Sequence, residues 1–170
     1  MKLEFEEIKD WQEFEDMIAE YFRLIKYDDN NVTEVVVEPT GNGSDGGRDI
    51  LVTFNASDSI QSFKRKWIIQ CKFHTGILKE KEMATINIPG KIHEYGANGF
   101  LLIVKDRVHS NISQMFENFR KNCRLFYNYD IWNGNQLKSR IQEKDKLIMQ
   151  YFPKYYKFTK DQEKQLEDVK

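Results

Sequence analysis

The sequence predicts an α/β domain in which helices and strands alternate along the chain. Three observations lead to this fold class. Apolar residues recur at helical spacing near the start of the chain, several short segments are rich in β-branched residues, and one segment is apolar throughout. The length of 170 residues suits one compact domain, and the hydrophobic fraction of 40% is sufficient to fill a single core.

The first half of the chain is predicted to form one helix and then three strands. From Trp11 to Ile25, apolar residues recur every three or four positions, as in an amphipathic helix. Three segments rich in β-branched and apolar residues are predicted to be strands: 33–38, 49–54 and 67–73. The glycine-rich segment 39–47 is predicted to be a turn and the polar segment 55–62 a loop.

The second half is predicted to alternate helices with strands. A helix is expected within 80–95, although Pro89 and Gly90 interrupt its pattern. The wholly apolar run 100–104 is typical of a strand covered on both faces. The remaining predicted elements are a helix from Ser110 as N-cap to Phe119, a strand over 125–132 and a last helix that starts at Asn135.

The end of the chain is charged and carries few apolar residues. We expect the folded domain to cover 1–158, and 159–170 to be either a solvated helix or, as the preferred alternative, a linker to a further domain. No run approaches the roughly 20 apolar residues of a membrane span, and the charged N-terminus lacks the apolar run of a secretory signal. Two cysteines form no disulfide framework, which suits a reducing compartment. We therefore expect a cytoplasmic protein without membrane association.

Net charge and short patterns give only weak support for nucleic-acid, zinc or dinucleotide binding. The net charge of −1 gives no global sign of nucleic-acid binding, and the basic cluster 63–66 is more typical of an ordinary surface. Cys71 and His74 have the spacing of zinc ligands, but no second pair follows, and a closed site needs about four ligands. The segment Gly41–Gly46 matches a dinucleotide-binding pattern, but a strand follows it instead of the helix that would hold the pyrophosphate.

Three polar residues in or beside predicted strands are candidates for a catalytic site. Gln70 and Lys72 lie in an apolar strand and point the same way, because strand side chains alternate. Asp49 starts the preceding strand, and antiparallel pairing of the two strands would place it beside Gln70 and Lys72. Taken singly, a half-exposed strand explains the first two, and an aspartate that closes a glycine turn is common.

A fourth candidate, Glu15, lies at the edge of the apolar face of the first helix, where Trp11, Ile18 and Phe22 flank it. An unpaired buried carboxylate is expensive, so it needs a partner, and a metal, an arginine or the Lys72 ammonium would each serve.

Together the four residues suit hydrolysis of a phosphodiester. Magnesium prefers one or two carboxylates together with water and phosphate oxygens. Asp49 would bind it directly, the Gln70 side-chain oxygen and the Cys71 backbone carbonyl would help, and Glu15 would act through water or at a second ion. Lys72 would orient the attacking hydroxide and stabilise the charge that develops at phosphorus.

Two short motifs contain the candidate residues: the run Gly43-Ser44-Asp45-Gly46-Gly47-Arg48-Asp49 and, in the next predicted strand, Gln70-Cys71-Lys72. They resemble the GxDGGxD and QxK motifs of Mrr-type restriction endonuclease domains, a branch of the PD-(D/E)xK nuclease superfamily. Phe14-Glu15 resembles the helical FE of that family. Segments 95–100 and 132–134 fit its layout, so that the resemblance spans about 14–141.

The resemblance implies a restriction-endonuclease-like three-layer fold, with a central mixed β-sheet flanked by helices. It implies a catalytic set of Glu15, Asp49, Gln70 and Lys72, with Asp45 either structural or in contact with the site residues without binding the metal. Glutamine replaces the superfamily's usual acidic residue at Gln70, which suggests weaker metal binding or one metal instead of two.

The implied function is a Mg2+-dependent endonuclease that cleaves DNA, with Mn2+ as a substitute ion, in restriction or anti-phage defence. Because one site cuts one strand, a homo-oligomer is expected, and similar domains often precede a nucleotide-driven regulatory domain. The alternative is a catalytically silent nucleic-acid-binding or interaction module with the same fold. The complete set of acidic residues and lysine favours the enzyme.

Overall fold

A mixed β-sheet of five strands forms the centre of the computed structural model, which describes residues 1–40 and 49–169. Its strands, in the order β1-β2-β3-β5-β7 across the sheet, are β1 (Val32–Pro39), β2 (Asp49–Ser57), β3 (Ser62–Lys72), β5 (Gly99–Val104) and β7 (Asn128–Trp132). Two short strands, β4 (Ile77–Leu78) and β6 (Arg107–Val108), pair with each other in parallel.

The direction of the strands brings several chain segments to one end of the sheet. β1, β2 and β3 are antiparallel neighbours, whereas β3, β5 and β7 run parallel. The carboxyl ends of the three parallel strands therefore lie at the same end as the start of β2. We call this the Lys72 end of the sheet, after the last residue of β3.

Helices cover both faces of the sheet. The helices are α1 (Trp11–Leu24), α2 (Ile88–Glu94), α3 (Ser110–Asn122), α4 (Gly134–Ile141), α5 (Asp145–Tyr151) and α6 (Pro153–Glu167). On one face α1, α4, α5 and α6 pack in a core that includes Ile69 and Cys71 of β3. On the other face α2 and α3 pack in a core that includes Ile68. This alternation along β3 produces three layers, and the predicted three-layer α/β fold with a mixed sheet is confirmed.

The two elements with the strongest patterns form as predicted. α1 begins at Trp11 because the Asp10 carboxylate accepts a hydrogen bond from the Glu13 amide at 2.8 Å, which satisfies a free N–H of the first turn. Its apolar stripe, with Phe14 and Ile18 fully buried, faces the sheet. All six residues of β5 are buried, as expected for a strand covered on both faces.

Three local predictions were wrong. Half of the predicted loop 55–62 is strand, and the chain turns over 58–61, where the Asp58 carboxylate accepts hydrogen bonds from the amides of Gln61 and Ile60. These bonds also lower the pKa of Asp58. Pro89 does not interrupt a helix but lies in the first turn of α2, where proline's missing N–H is harmless. Ser110 is not the N-cap of α3: the His109 ring accepts from the Asn111 amide at 3.2 Å.

The end of the chain differs most from the prediction. Instead of one last helix from Asn135, three helices follow β7, and the first is capped by Asn133. α6 runs through to Glu167, so residue 158 lies inside a helix and the charged segment is helical up to Glu167. A further domain beyond it stays a prediction. Within the described ranges, no helix is long and apolar enough to cross a membrane.

Candidate active site

Strand pairing brings two of the predicted site residues together at the Lys72 end. In the antiparallel register of β2 and β3, Asp49 pairs with Gln70, as expected for a two-stranded ribbon. Lys72 follows two residues later on the same strand and ends it. The side chain of Asp49 and the whole of 41–48, including Asp45, lie outside the described residues.

Gln70 is a buried polar residue. It is 4% exposed, and it occupies the strand position between Ile69 and Cys71, whose side chains face the α1 layer. Its own side chain therefore points to the opposite face, as does that of Ile68. Its Oε1 atom has no hydrogen-bond partner within the described part of the chain. An acceptor buried in this way costs about 1–3 kcal/mol unless something else satisfies it.

Lys72 is half-buried and points to the same face as Gln70. For residues 1–40 and 50–169, no hydrogen bond or ion pair of its ammonium group is found. Its backbone carbonyl is occupied, since it accepts a hydrogen bond from the Lys105 amide at 3.0 Å. The strand thus fixes the lysine, and no side chain among residues 1–40 and 50–169 neutralises its charge.

Glu15 is also buried, at 4% exposure, as its place at the edge of the apolar stripe predicts. It belongs to α1, which packs on the face of the sheet opposite to Gln70. The adjacent Phe14 ring contacts the Phe73 ring, with centroids 5.3 Å apart, so α1 passes the Lys72 end of β3. The structure thus places Glu15 beside this end, on the other face from Gln70 and Lys72.

The two possible zinc ligands, Cys71 and His74, lie in different surroundings. Cys71 is 1% exposed within the core of the α1 layer. His74 lies near the surface, with its Nδ1 3.3 Å from Glu82 Oε1. A search of residues 1–40 and 50–169 finds no group of three or more His, Cys, Asp or Glu side chains placed to hold a metal.

One basic residue at this end was missed by the sequence analysis. Lys105 follows β5 directly, and its ammonium nitrogen lies 3.1 Å from Thr75 Oγ1 and 4.4 Å from the centroid of the Phe73 ring. The available signal was its position as the first polar residue after a wholly apolar strand, where ligands of parallel sheets commonly bind. Recognising it requires the parallel pairing of β3 with β5.

The sequence matches one protein-family model. The model Mrr_cat, described as restriction endonuclease, covers residues 7–141. The match spans most of the chain, and the chain therefore belongs to the Mrr-type restriction endonuclease family, as its motifs suggest. Membership supports a DNA-cleaving hydrolase.

Comparison with other proteins adds a distant structural likeness. The solved structure of "DNA modification-dependent restriction endonuclease AspBHI" is similar to 84% of this chain, with a TM-score of 0.48 and 11% identity. This chain spans 38% of the length of that protein. No curated protein matches the sequence.

Proposed function

We propose that this protein is a magnesium-dependent endonuclease that hydrolyses phosphodiester bonds of DNA at the Lys72 end of the sheet. The observation that carries the proposal is the Gln70 side chain, a buried oxygen without a hydrogen-bond partner among the described residues, on the strand position paired with Asp49. Membership of the restriction endonuclease family supports the same chemistry.

The residues present fit a hard divalent cation. An amide oxygen that is buried and unsatisfied within the described part of the chain is suited to accept a cation or its water, because either would remove the cost of its burial. Magnesium favours oxygen ligands and few carboxylates, which matches Asp49 with Gln70 and the Cys71 carbonyl. Glu15 supplies a second carboxylate from α1, through water or at a second ion. Mn2+ is the expected substitute.

Each residue has a separate task in cleavage. The chemistry that such an ion supplies is neutralisation of phosphate charge and a lower pKa for a nearby water. Asp49 and Gln70 would bind the ion, and the pairing of β2 with β3 fixes the distance between their backbones. Lys72 donates hydrogen bonds to the phosphate oxygens and to the attacking water, and stabilises the charge that develops at phosphorus.

The biological setting follows from the family and remains part of the proposal. The substrate is DNA, and the role is restriction or anti-phage defence inside the cytoplasm. One site cuts one strand, so double-strand cleavage requires a dimer or a higher assembly. A fused or associated nucleotide-driven domain would regulate it. A catalytically silent module that binds nucleic acid is the alternative.

Nicking of supercoiled plasmid tests the proposal. Wild type with Mg2+ is expected to convert supercoiled DNA into open circles, while EDTA stops the reaction and Lys72→Ala abolishes it, because the charge that develops at phosphorus loses the stabilising ammonium group. Gel electrophoresis measures the products, and circular dichroism checks that the variant is folded.

Lys121→Ala is the matched control. Lys121 is an exposed lysine of α3, with its ammonium 3.8 Å from Glu117, and its loss is expected to leave nicking unchanged. Nicking by Lys72→Ala at the wild-type rate would remove Lys72 from the mechanism. If folded wild type binds DNA but never nicks it with Mg2+ or Mn2+, the silent binding module replaces the enzyme.

A further inference from the structure

Lys105 is a second lysine at the Lys72 end, and the structure holds it in a defined place. Its backbone amide donates to the carbonyl of Lys72, the last residue of β3, at 3.0 Å, which continues the pairing of β3 with β5 one residue beyond the end of β5. Its side chain crosses the face of the Phe73 ring, 4.4 Å from the centroid, and donates to Thr75 Oγ1 at 3.1 Å. Three neighbouring residues therefore fix both the backbone and the ammonium group.

The positive charge of Lys105 is not neutralised by the described residues. No carboxylate in the described ranges forms an ion pair with it. The nearest carboxylate along the chain, Asp106, is engaged elsewhere, because its Oδ2 accepts from the Gly76 amide at 3.0 Å. An ammonium group has three donors, and Thr75 accepts only one of them. At least one donor remains for an anion.

Lys105 lies at the same end of the sheet as the proposed site, on the opposite face from Lys72. Lys72 and Lys105 leave adjacent strands, which lie about 4.8 Å apart, but they extend to opposite faces of the sheet. Phe73, which Lys105 covers, contacts Phe14 beside Glu15. Lys105 is thus on the α1 side of the sheet end, while Lys72 and Gln70 are on the other side. A strand of DNA that crosses the sheet end would meet both lysines.

We infer that Lys105 binds a phosphate of the cleaved DNA strand adjacent to the scissile phosphate. The inference rests on the proposed function. Successive phosphates of one strand lie about 3.4 Å apart along the helix axis, so two cations on adjacent strands can contact phosphates close together in sequence. Because the whole chain has a net charge of −1, affinity for DNA must come from local cations of this kind.

The experiment compares Lys105→Met with Lys105→Arg. Methionine keeps an unbranched apolar side chain over the Phe73 ring and removes the charge, whereas arginine restores it. Binding to a labelled duplex is measured by fluorescence anisotropy with Ca2+ at several salt concentrations. Loss of one phosphate contact lowers the slope of log affinity against log salt by about 0.9, which at 0.1 M salt corresponds to about an eightfold loss of affinity.

The expected pattern separates binding from chemistry. Lys105→Met shows the weaker binding and the shallower slope, Lys105→Arg behaves like wild type, and nicking at saturating protein stays near the wild-type rate. Lys121→Met, at an exposed lysine in the other helical layer, is the control and keeps wild-type binding. Thermal unfolding confirms that every variant is folded.

Two other results would overturn the inference. One excludes only the role of Lys105, and the other also excludes the proposed function. If Lys105→Met binds and responds to salt like Lys121→Met while wild type nicks DNA through Lys72, only the role of Lys105 is wrong. If wild type neither binds nor nicks DNA, the proposed function and the role of Lys105 are both wrong.

Discussion

Gln70 has a buried amide oxygen that lacks a hydrogen-bond partner among the described residues. Most buried polar groups in proteins are hydrogen-bonded, and each exception needs an explanation. Within the described residues, Gln70 Oε1 is such an exception, and it lies beside Asp49 in the strand register. We propose that Gln70 Oε1 is a ligand for a cation, which would satisfy this buried acceptor.

This explanation predicts opposite effects of Gln70→Leu on stability and on metal binding. Without metal, the free energy of unfolding should stay constant or rise by about 1 kcal/mol, because an unsatisfied acceptor is removed. The stabilisation that Mg2+ gives to wild type should shrink or vanish, since a ligand that binds only the folded state stabilises it by an amount that falls as Kd rises at a fixed ligand concentration. Urea denaturation with and without Mg2+ measures both quantities.

Gln142→Leu provides the contrast. The Gln142 amide is satisfied, since it donates to the Tyr155 hydroxyl at 2.9 Å, and its loss should lower the free energy of unfolding by about 1 kcal/mol with or without Mg2+. If Gln70→Leu destabilises the metal-free protein more than Gln142→Leu does, then Gln70 has a structural role.

At the scale of elements, patterns within a single segment predicted structure well. The stripe of α1 and the apolar run of β5 determine their elements locally, and the alternation of Gln70 and Lys72 within β3 likewise required only the strand period. The pairing of Asp49 with Gln70 was predictable because a short connection joins β2 and β3, which favours an antiparallel hairpin.

Features that depend on contacts between distant segments were not predictable. Pro89 is typical both of a helix start and of a helix break, and the packing of α2 on the sheet decides between them. Lys105 becomes informative only when β5 is known to pair with β3 in parallel. The three helices after β7 are separated by breaks that the apolar positions 137, 141, 147 and 148 do not reveal.

The segment after β5 lies against the start of α4, and this close crossing of the two backbones depends on Gly134. Its amide donates to the Asp106 carbonyl at 2.7 Å, and a Cβ atom there would lie 2.1 Å from the Lys105 carbonyl oxygen. Only glycine permits this approach. The contact therefore supports the backbone that carries Lys105.

Gly134→Ala should consequently lower the free energy of unfolding by about 1–3 kcal/mol, because the backbone must move to relieve the clash. Weaker DNA binding should accompany it if Lys105 shifts. Denaturant unfolding measures the first effect, and Asn135→Ala, at the next and exposed position of α4, is the control expected to have little effect. Equal stability of the two variants would show that this crossing is not a tight contact.

For the whole molecule, the three-layer arrangement explains why the candidate site lies at an end of the sheet. Helices pack on both faces of β5 and of the second half of β3, so polar side chains of these strands can reach a large ligand where the strands end. The mixed topology brings the start of β2 to the carboxyl end of β3, and α1 passes the same end through the contact of Phe14 with Phe73. Residues that are distant in the sequence thereby lie around the candidate site at the Lys72 end.

The most direct test of a metal site between Asp49 and Gln70 is anomalous diffraction from crystals of the protein soaked in Mn2+. We expect one strong peak at about 2.0–2.2 Å from oxygens of Asp49 and Gln70, near the Cys71 carbonyl, because Mn2+ substitutes for Mg2+ with similar oxygen ligands. An ordered Mn2+ ion bound elsewhere, or none at this place in crystals of protein that nicks DNA with Mn2+, would contradict the site.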